Sequence, residues 1–84
     1  MKIELYSSNY CPFCVKAKAL LERKGVDFEE IDVTNDDEAR MALVKKAKGM
    51  RTVPQIFIDD KHIGGCDDLY ALDGKGELDN LLGL

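Results

Sequence analysis

The chain has 84 residues, near the lower limit for an independent hydrophobic core, and residues 1–84 read as a single domain. Its 45% hydrophobic and 33% charged residues are those of an ordinary globular protein and not of a disordered one. With 12 basic and 16 acidic side chains the net charge is −4, and no Lys/Arg stripe with interleaved aromatics offers a nucleic-acid surface.

No run approaches the roughly 18 apolar residues of a membrane span. "MKIELY" passes directly into a strand pattern without an apolar leader region. The expected location is the cytoplasm, with neither membrane nor nucleic acid as a partner. Three cysteines are an odd, low count for a secreted disulfide scaffold, and in a reducing compartment a close pair points to catalysis or metal binding.

The first element, "KIELY" at 2–6, alternates and is expected to be a strand. It leads into "SSNYCPFCVKAKALL", where Pro12 suits the first turn of a helix and Gly25 suits its end. Val15, Ala19 and Leu20 are expected to form its apolar face, with Lys16 and Lys18 elsewhere.

Cys11 then falls at the N-cap, where unpaired backbone N–H groups and the helix dipole favour a thiolate. Such positions lower a cysteine pKa from about 8.5 to between about 3.5 and 7.5. A low pKa gains little in attack, because nucleophilicity falls with it, but it makes Cys11 a good leaving group. Cys14 lies one turn deeper on the same helix face, with less help from the terminus. That asymmetry suits a nucleophile at Cys11 and a resolving thiol at Cys14.

A C-x-x-C pair has two other uses. A structural zinc site would need Cys66 and His62 to complete it, and "HIGGC" is unlike a zinc knuckle. A structural disulfide across so short a ring closes almost no loop and contributes little stability.

Residues 26–33 (VDFEEIDV) are expected to form a second strand, its apolar positions slightly out of phase. "TNDDEARMALVKKAKG" is expected to be a helix capped by Thr34 or Asn35, with carboxylates in its first turn and lysines in its last. Residues 55–59 and 61–63 read as two strands joined by a tight turn at Asp59–Asp60. A helix is expected over 66–73 with Asp67 and Asp68 near its cap. A short terminal helix in "KGELDNLLGL" packs Leu78, Leu81 and Leu82 on the core. The order β-α-β-α-β-β-α predicts an α/β architecture, a mixed four-stranded sheet with helices on both faces.

"CPFC" after a strand, "TVP" at 52–54 and "GGCDDL" at 64–69 together resemble the dithiol glutaredoxins of the thioredoxin fold. The resemblance spans nearly the whole chain, and "TVPQIFIDDKHIGGCDDLYALD" is similar to the bacterial glutaredoxin 3 subgroup. The absence of Trp, and of the W-C-G-P-C motif, sets the chain apart from thioredoxins.

The resemblance implies a glutathione-dependent thiol–disulfide oxidoreductase, acting on glutathione mixed disulfides and protein disulfides. Glutathione would be a co-substrate, no cofactor or metal would be tightly bound, and the protein would be a monomer. Cys11 would take the glutathionyl group, and Phe13 stands where the family usually has Tyr. Thr52 and Val53 precede Pro54, whose peptide bond is cis in the family, so the Val53 backbone would pair with the cysteinyl part of glutathione. Gly65 would permit close approach of the ligand backbone. The N–H groups of Cys66 and Asp67 would face the γ-glutamyl carboxylate, and Asp68 the α-amino group.

Ser8 departs from the family, many of whose members carry Lys or Arg there. Arg51 and Lys48 are the expected substitutes for that charge. Cys66 is expected to be a small buried hydrophobe and His62 a strand residue. Rival readings are a carrier of a [2Fe–2S] cluster between two subunits, disfavoured by the stiff C-P-x-C loop, and a thioredoxin-like reductant fed by a flavoprotein.

Overall fold

A computed structural model describes residues 1–84. The elements run β1 (Ile3–Ser7), α1 (Pro12–Arg23), β2 (Glu29–Asp32), α2 (Asp37–Lys46), β3 (Gln55–Ile58), β4 (Lys61–Gly64), α3 (Cys66–Gly74) and α4 (Glu77–Leu81). The sheet order is β2-β1-β3-β4, with β1 and β2 parallel and the other pairs antiparallel. The mixed four-stranded sheet of the sequence reading is therefore present. The α1 crossover makes its first pair parallel, and Asp59 and Asp60, both at positive φ, close the β3–β4 hairpin.

Two apolar clusters sandwich the sheet. The larger joins Ile3, Leu5, Ile56 and Ile58 to Ala17, Leu20 and Leu21 of α1, Cys66 and Leu69 of α3, and Leu78 and Leu82 at the C-terminus. The smaller joins Tyr6, Phe57 and Val33 to Leu43 and Ala47 at α2. Alternation along β1 and β3 sends successive side chains to opposite clusters. Lys24 ties the end of α1 to Asp73 and Asp79, at 2.6 and 2.9 Å.

Three local expectations are corrected. The buried face of α1 is Cys14, Ala17, Leu20 and Leu21, whereas Val15 is 61% exposed and Ala19 is exposed. Spacing from Cys14 by three and by six or seven residues keeps that face on the sheet, and Val15 turns outward. The second strand is shorter than residues 26–33, because the chain enters the sheet only at Glu29. Val26 and Phe28 pack on the larger cluster, and Ile31 and Val33 belong with the smaller one, which accounts for the offset of phase.

Helix α2 is capped by Asp36, whose Oδ1 accepts the Ala39 N–H at 3.0 Å, and not by Thr34 or Asn35. The Thr34 hydroxyl is taken up elsewhere, accepting the Asn9 N–H at 2.8 Å and donating to Asp32. That contact ties the β1–α1 loop, which presents Cys11, to the end of β2.

Leu20 lies at the centre of the larger cluster with 1% exposure. Leu20→Ala is expected to cost about 2–5 kcal/mol by cavity formation, which a fall in the urea midpoint will measure.

Candidate active site

Strand β1 ends at Ser7, and the loop 8–11 turns through Tyr10, at φ 55°, to start α1 at Pro12. Cys11 is the N-cap, in extended conformation, and its Sγ accepts the Cys14 N–H at 3.1 Å. Sulfur thus takes the place usually held by a Ser, Thr or Asp oxygen. Cys11 is half-buried, Cys14 only 2% exposed, and the two sulfurs are joined in a disulfide with the Cα atoms 5.2 Å apart.

Opposite Cys11 runs the segment Thr52-Val53-Pro54, with a cis peptide bond between Val53 and Pro54. The Cys11 Sγ lies 3.8 Å from the Val53 carbonyl oxygen. Neither the N–H nor the C=O of Val53 makes a backbone hydrogen bond, so one donor and one acceptor stand open beside the sulfur.

Helix α3 begins at Cys66, its N-cap Gly65 following β4 directly. The N–H groups of Cys66, Asp67 and Asp68 have no intrahelical partner. Asp68 Oδ2 accepts the Gly65 N–H at 2.9 Å, so the carboxylate caps the helix it belongs to. Gly64 is required by this arrangement: it sits at φ 120°, and a Cβ there would lie 2.2 Å from Asp68 Oδ2. Asp67 is exposed.

A cleft of about 190 Å³ gathers Phe13, Thr52, Val53, Pro54, Gly65, Cys66, Asp67 and Asp68, with Met50 and Gln55. All eight residues expected to surround glutathione thus line one depression. Met50 and Gln55 were not anticipated, although both flank "TVP" closely enough for adjacency to have flagged them. The expected cations are not on this cleft; Arg51 lines a separate groove beside α2. Lys16 is closer, its Nζ 5.6 Å from the Phe13 ring centroid, and its charge is felt at Cys66. Its place on α1, five residues after Cys11, was the only sequence signal for it.

Cys66 is 6% exposed within the larger cluster, as expected of a small buried hydrophobe. Burial, with the Asp67 carboxylate adding to it, pushes its thiol pKa up. The third cysteine is therefore held neutral beside a pair built for exchange.

A Glutaredoxin family model matches residues 3–63. The chain belongs to the glutaredoxin family. It is 62% identical over 81 residues to a probable glutaredoxin of Synechocystis sp., covering 96% of this chain and 92% of that protein. It is 54% identical over 80 residues to glutaredoxin 3 of Escherichia coli K12, covering 95% of each. Among solved structures, a wheat glutaredoxin superimposes with a TM-score of 0.88 at 42% identity, covering 99% of this chain and 80% of that one. A buckwheat glutaredoxin–glutathione complex gives 0.87 at 33% identity, covering 96% and 76%. Glutaredoxins are glutathione-dependent thiol–disulfide oxidoreductases, and this chain carries that activity on the thioredoxin-type fold described above. No helix is long and apolar enough to cross a membrane.

A second hollow of this glutaredoxin, about 520 Å³, lies against Cys11 and Cys14 and is lined also by Ser7, Lys18, Glu30 and Asp32. Glu30 Oε2 accepts from Lys18 Nζ at 2.9 Å and from the Ser7 hydroxyl at 2.7 Å. The Lys18 bond, followed by that from Ser7, holds the Glu30 carboxyl below its ordinary 4.5. A lowered folded pKa adds stability that is complete above the unfolded value near 4.5 and is lost as the pH falls through the folded one. The pair is partly exposed, which limits its worth to less than about 1 kcal/mol. In Glu30→Gln the drop in urea midpoint on going from about pH 6 to about pH 3 is expected to be smaller than in wild type.

Proposed function

We propose that Cys11 is the nucleophile, Cys14 the resolving thiol, and the cleft beside Val53 the place where glutathione docks. The observation that carries the reading is the Cys11 sulfur, held at a helix N-cap by the Cys14 N–H and set against the open backbone of Val53.

The Cys11 thiolate attacks the glutathionyl sulfur of a protein mixed disulfide, and the protein thiolate leaves and takes up a proton. A second glutathione thiolate attacks the glutathionyl sulfur on Cys11, giving glutathione disulfide and restoring the Cys11 thiolate. On a protein disulfide, the Cys11 thiolate attacks one protein sulfur, the substrate S–S bond breaks, and the other protein sulfur leaves as a thiolate that takes up a proton. Cys14 then loses its proton and attacks Cys11, expelling the substrate as a dithiol and closing the Cys11–Cys14 disulfide, which two glutathiones reduce. The N–H that Cys14 donates to Cys11 stabilises the leaving thiolate in every step that expels Cys11.

In the cleft the tripeptide lies extended along Val53, pairing with its N–H and C=O, while Phe13 and Pro54 flank the cysteinyl portion. The free N–H groups of Cys66 and Asp67 receive the γ-glutamyl carboxylate. Of the two carboxylates, Asp68 already has one oxygen committed to Gly65, so its other oxygen and the unpaired Asp67 are the groups open to the α-amino nitrogen. Lys16 supplies the positive charge that Ser8 does not. The protein acts on glutathionylated and disulfide-bonded proteins in the cytoplasm, a location supported by its low cysteine count, and it does so as a monomer.

The test is turnover of a glutathionylated peptide by glutathione, coupled to glutathione reductase. Cys11→Ser is expected to abolish activity to background. Cys14→Ser is expected to retain turnover of the glutathionylated peptide while losing most of its rate on a protein disulfide. A Cys11→Ser protein as active as wild type would overturn the assignment.

A further inference from the structure

A polar chain centred on the buried Gln55 runs from the β3–β4 hairpin to the mouth of the cleft. Gln55, the first residue of β3, is 1% exposed, and its two amide ends are both engaged. Its Nε2 donates to Thr52 Oγ1 at 3.2 Å, and its Oε1 faces His62 Nε2 at 2.6 Å. The His62 ring is in turn stacked on Phe57, with centroids 5.0 Å apart and planes 27° apart, and Phe57 is wholly buried. His62 therefore has a fixed ring plane and a fixed partner.

We infer that Gln55 and His62 are positioning residues that set the polarity of the Thr52 hydroxyl and aim its proton into the cleft. The inference rests on the reading of that cleft as the glutathione site. An amide has one accepting end and one donating end. With Oε1 receiving the His62 Nε2–H, only the NH₂ can face Thr52. The Thr52 oxygen is then an acceptor on the Gln55 side, and its own proton is left for a partner elsewhere. Thr52 is exposed and lines the cleft, next to the open Val53 backbone. The partner this arrangement fits is a peptide carbonyl or carboxylate oxygen of the bound tripeptide. A purely structural clip would be served as well by an apolar side chain at 55, which would bury no polar group needing two partners.

The experiment compares wild type with Thr52→Val, Gln55→Met, His62→Phe and the double variant Thr52→Val/Gln55→Met, with Asp67→Asn as an independent KM probe of the glutathione reading. His62→Phe retains a ring to stack on Phe57 and lies away from the cleft, which guards against a Gln55 variant that folds poorly. For each, KM and kcat are measured on a glutathionylated peptide, and the rate of Cys11 alkylation by iodoacetamide, which needs no glutathione site, is measured alongside. Loss of one hydrogen bond predicts that Thr52→Val, Gln55→Met and His62→Phe each raise KM about three- to tenfold. Alkylation rates are expected to stay at the wild-type value. The double variant is expected to show no more than the Thr52→Val effect, since Gln55 acts through Thr52.

The inference is overturned if Thr52→Val raises KM while Gln55→Met and His62→Phe do not, or if the effects in the double variant multiply. An unchanged KM in both Thr52→Val and Asp67→Asn would instead remove the glutathione reading of the cleft, and this inference with it.

Discussion

The bond from the Cys14 N–H to the Cys11 sulfur is the constraint around which the rest of this glutaredoxin is arranged. A helix must leave its first N–H groups without internal partners, and oxygen-bearing side chains usually satisfy them. Here the cap is sulfur, so a structural requirement of α1 doubles as stabilisation of a thiolate. The arrangement works only if the helix start is held in register with its surroundings. Strand β1 delivers the chain, Thr34 pins the loop through Asn9, and Ala17, Leu20 and Leu21 anchor the helix body on the sheet.

The two faces of the sheet are held by different means. Eleven buried residues, from β1, β3 and three helices, unite one face, and the site is assembled at its edge. The α2 face has five buried residues and leans on charge. Lys46 reaches Glu4 at 2.8 Å and lies over the rings of Tyr6 and Phe57, 4.8 Å from the latter. Glu4 is almost fully buried, so its partner is needed more than the attraction between the two is worth in isolation. The element least committed to the common core is also the one farthest from the cysteines in role.

How much was legible from the sequence followed from how local the chemistry was. Cys11, Pro12 and Cys14 carry their meaning within one helical turn, and the expected cleft residues are Phe13 in that turn and two short segments, 52–54 and 65–68, which the β3–β4 hairpin brings together. The cap of α2 was not legible, because Thr34, Asn35 and Asp36 are each competent. The choice was made by Asn9, which recruits Thr34 from the far side of a crossover. The face of α1 turned on whether Cys14 or Val15 faces the sheet, and both are apolar enough to be buried. The residue pattern marks His62 only as a strand residue, which it is. Its contact with Gln55 depends on the register of the β3–β4 hairpin, which is irregular between Ile56 and Phe57, and no local pattern announces that irregularity.

The depth of Cys14 has a consequence for traffic through the site. A sulfur with 2% exposure cannot be approached by a folded partner, yet it lies within bonding reach of Cys11. In the proposed mechanism every foreign sulfur therefore joins and leaves the protein at the Cys11 sulfur. In that mechanism the second thiol meets no substrate and acts as a release device inside the wall. Under the proposed roles of Cys11 and Cys14, the lifetime of a complex with a protein disulfide is set by this protein's interior, whereas a glutathionyl group on Cys11 waits for a second glutathione.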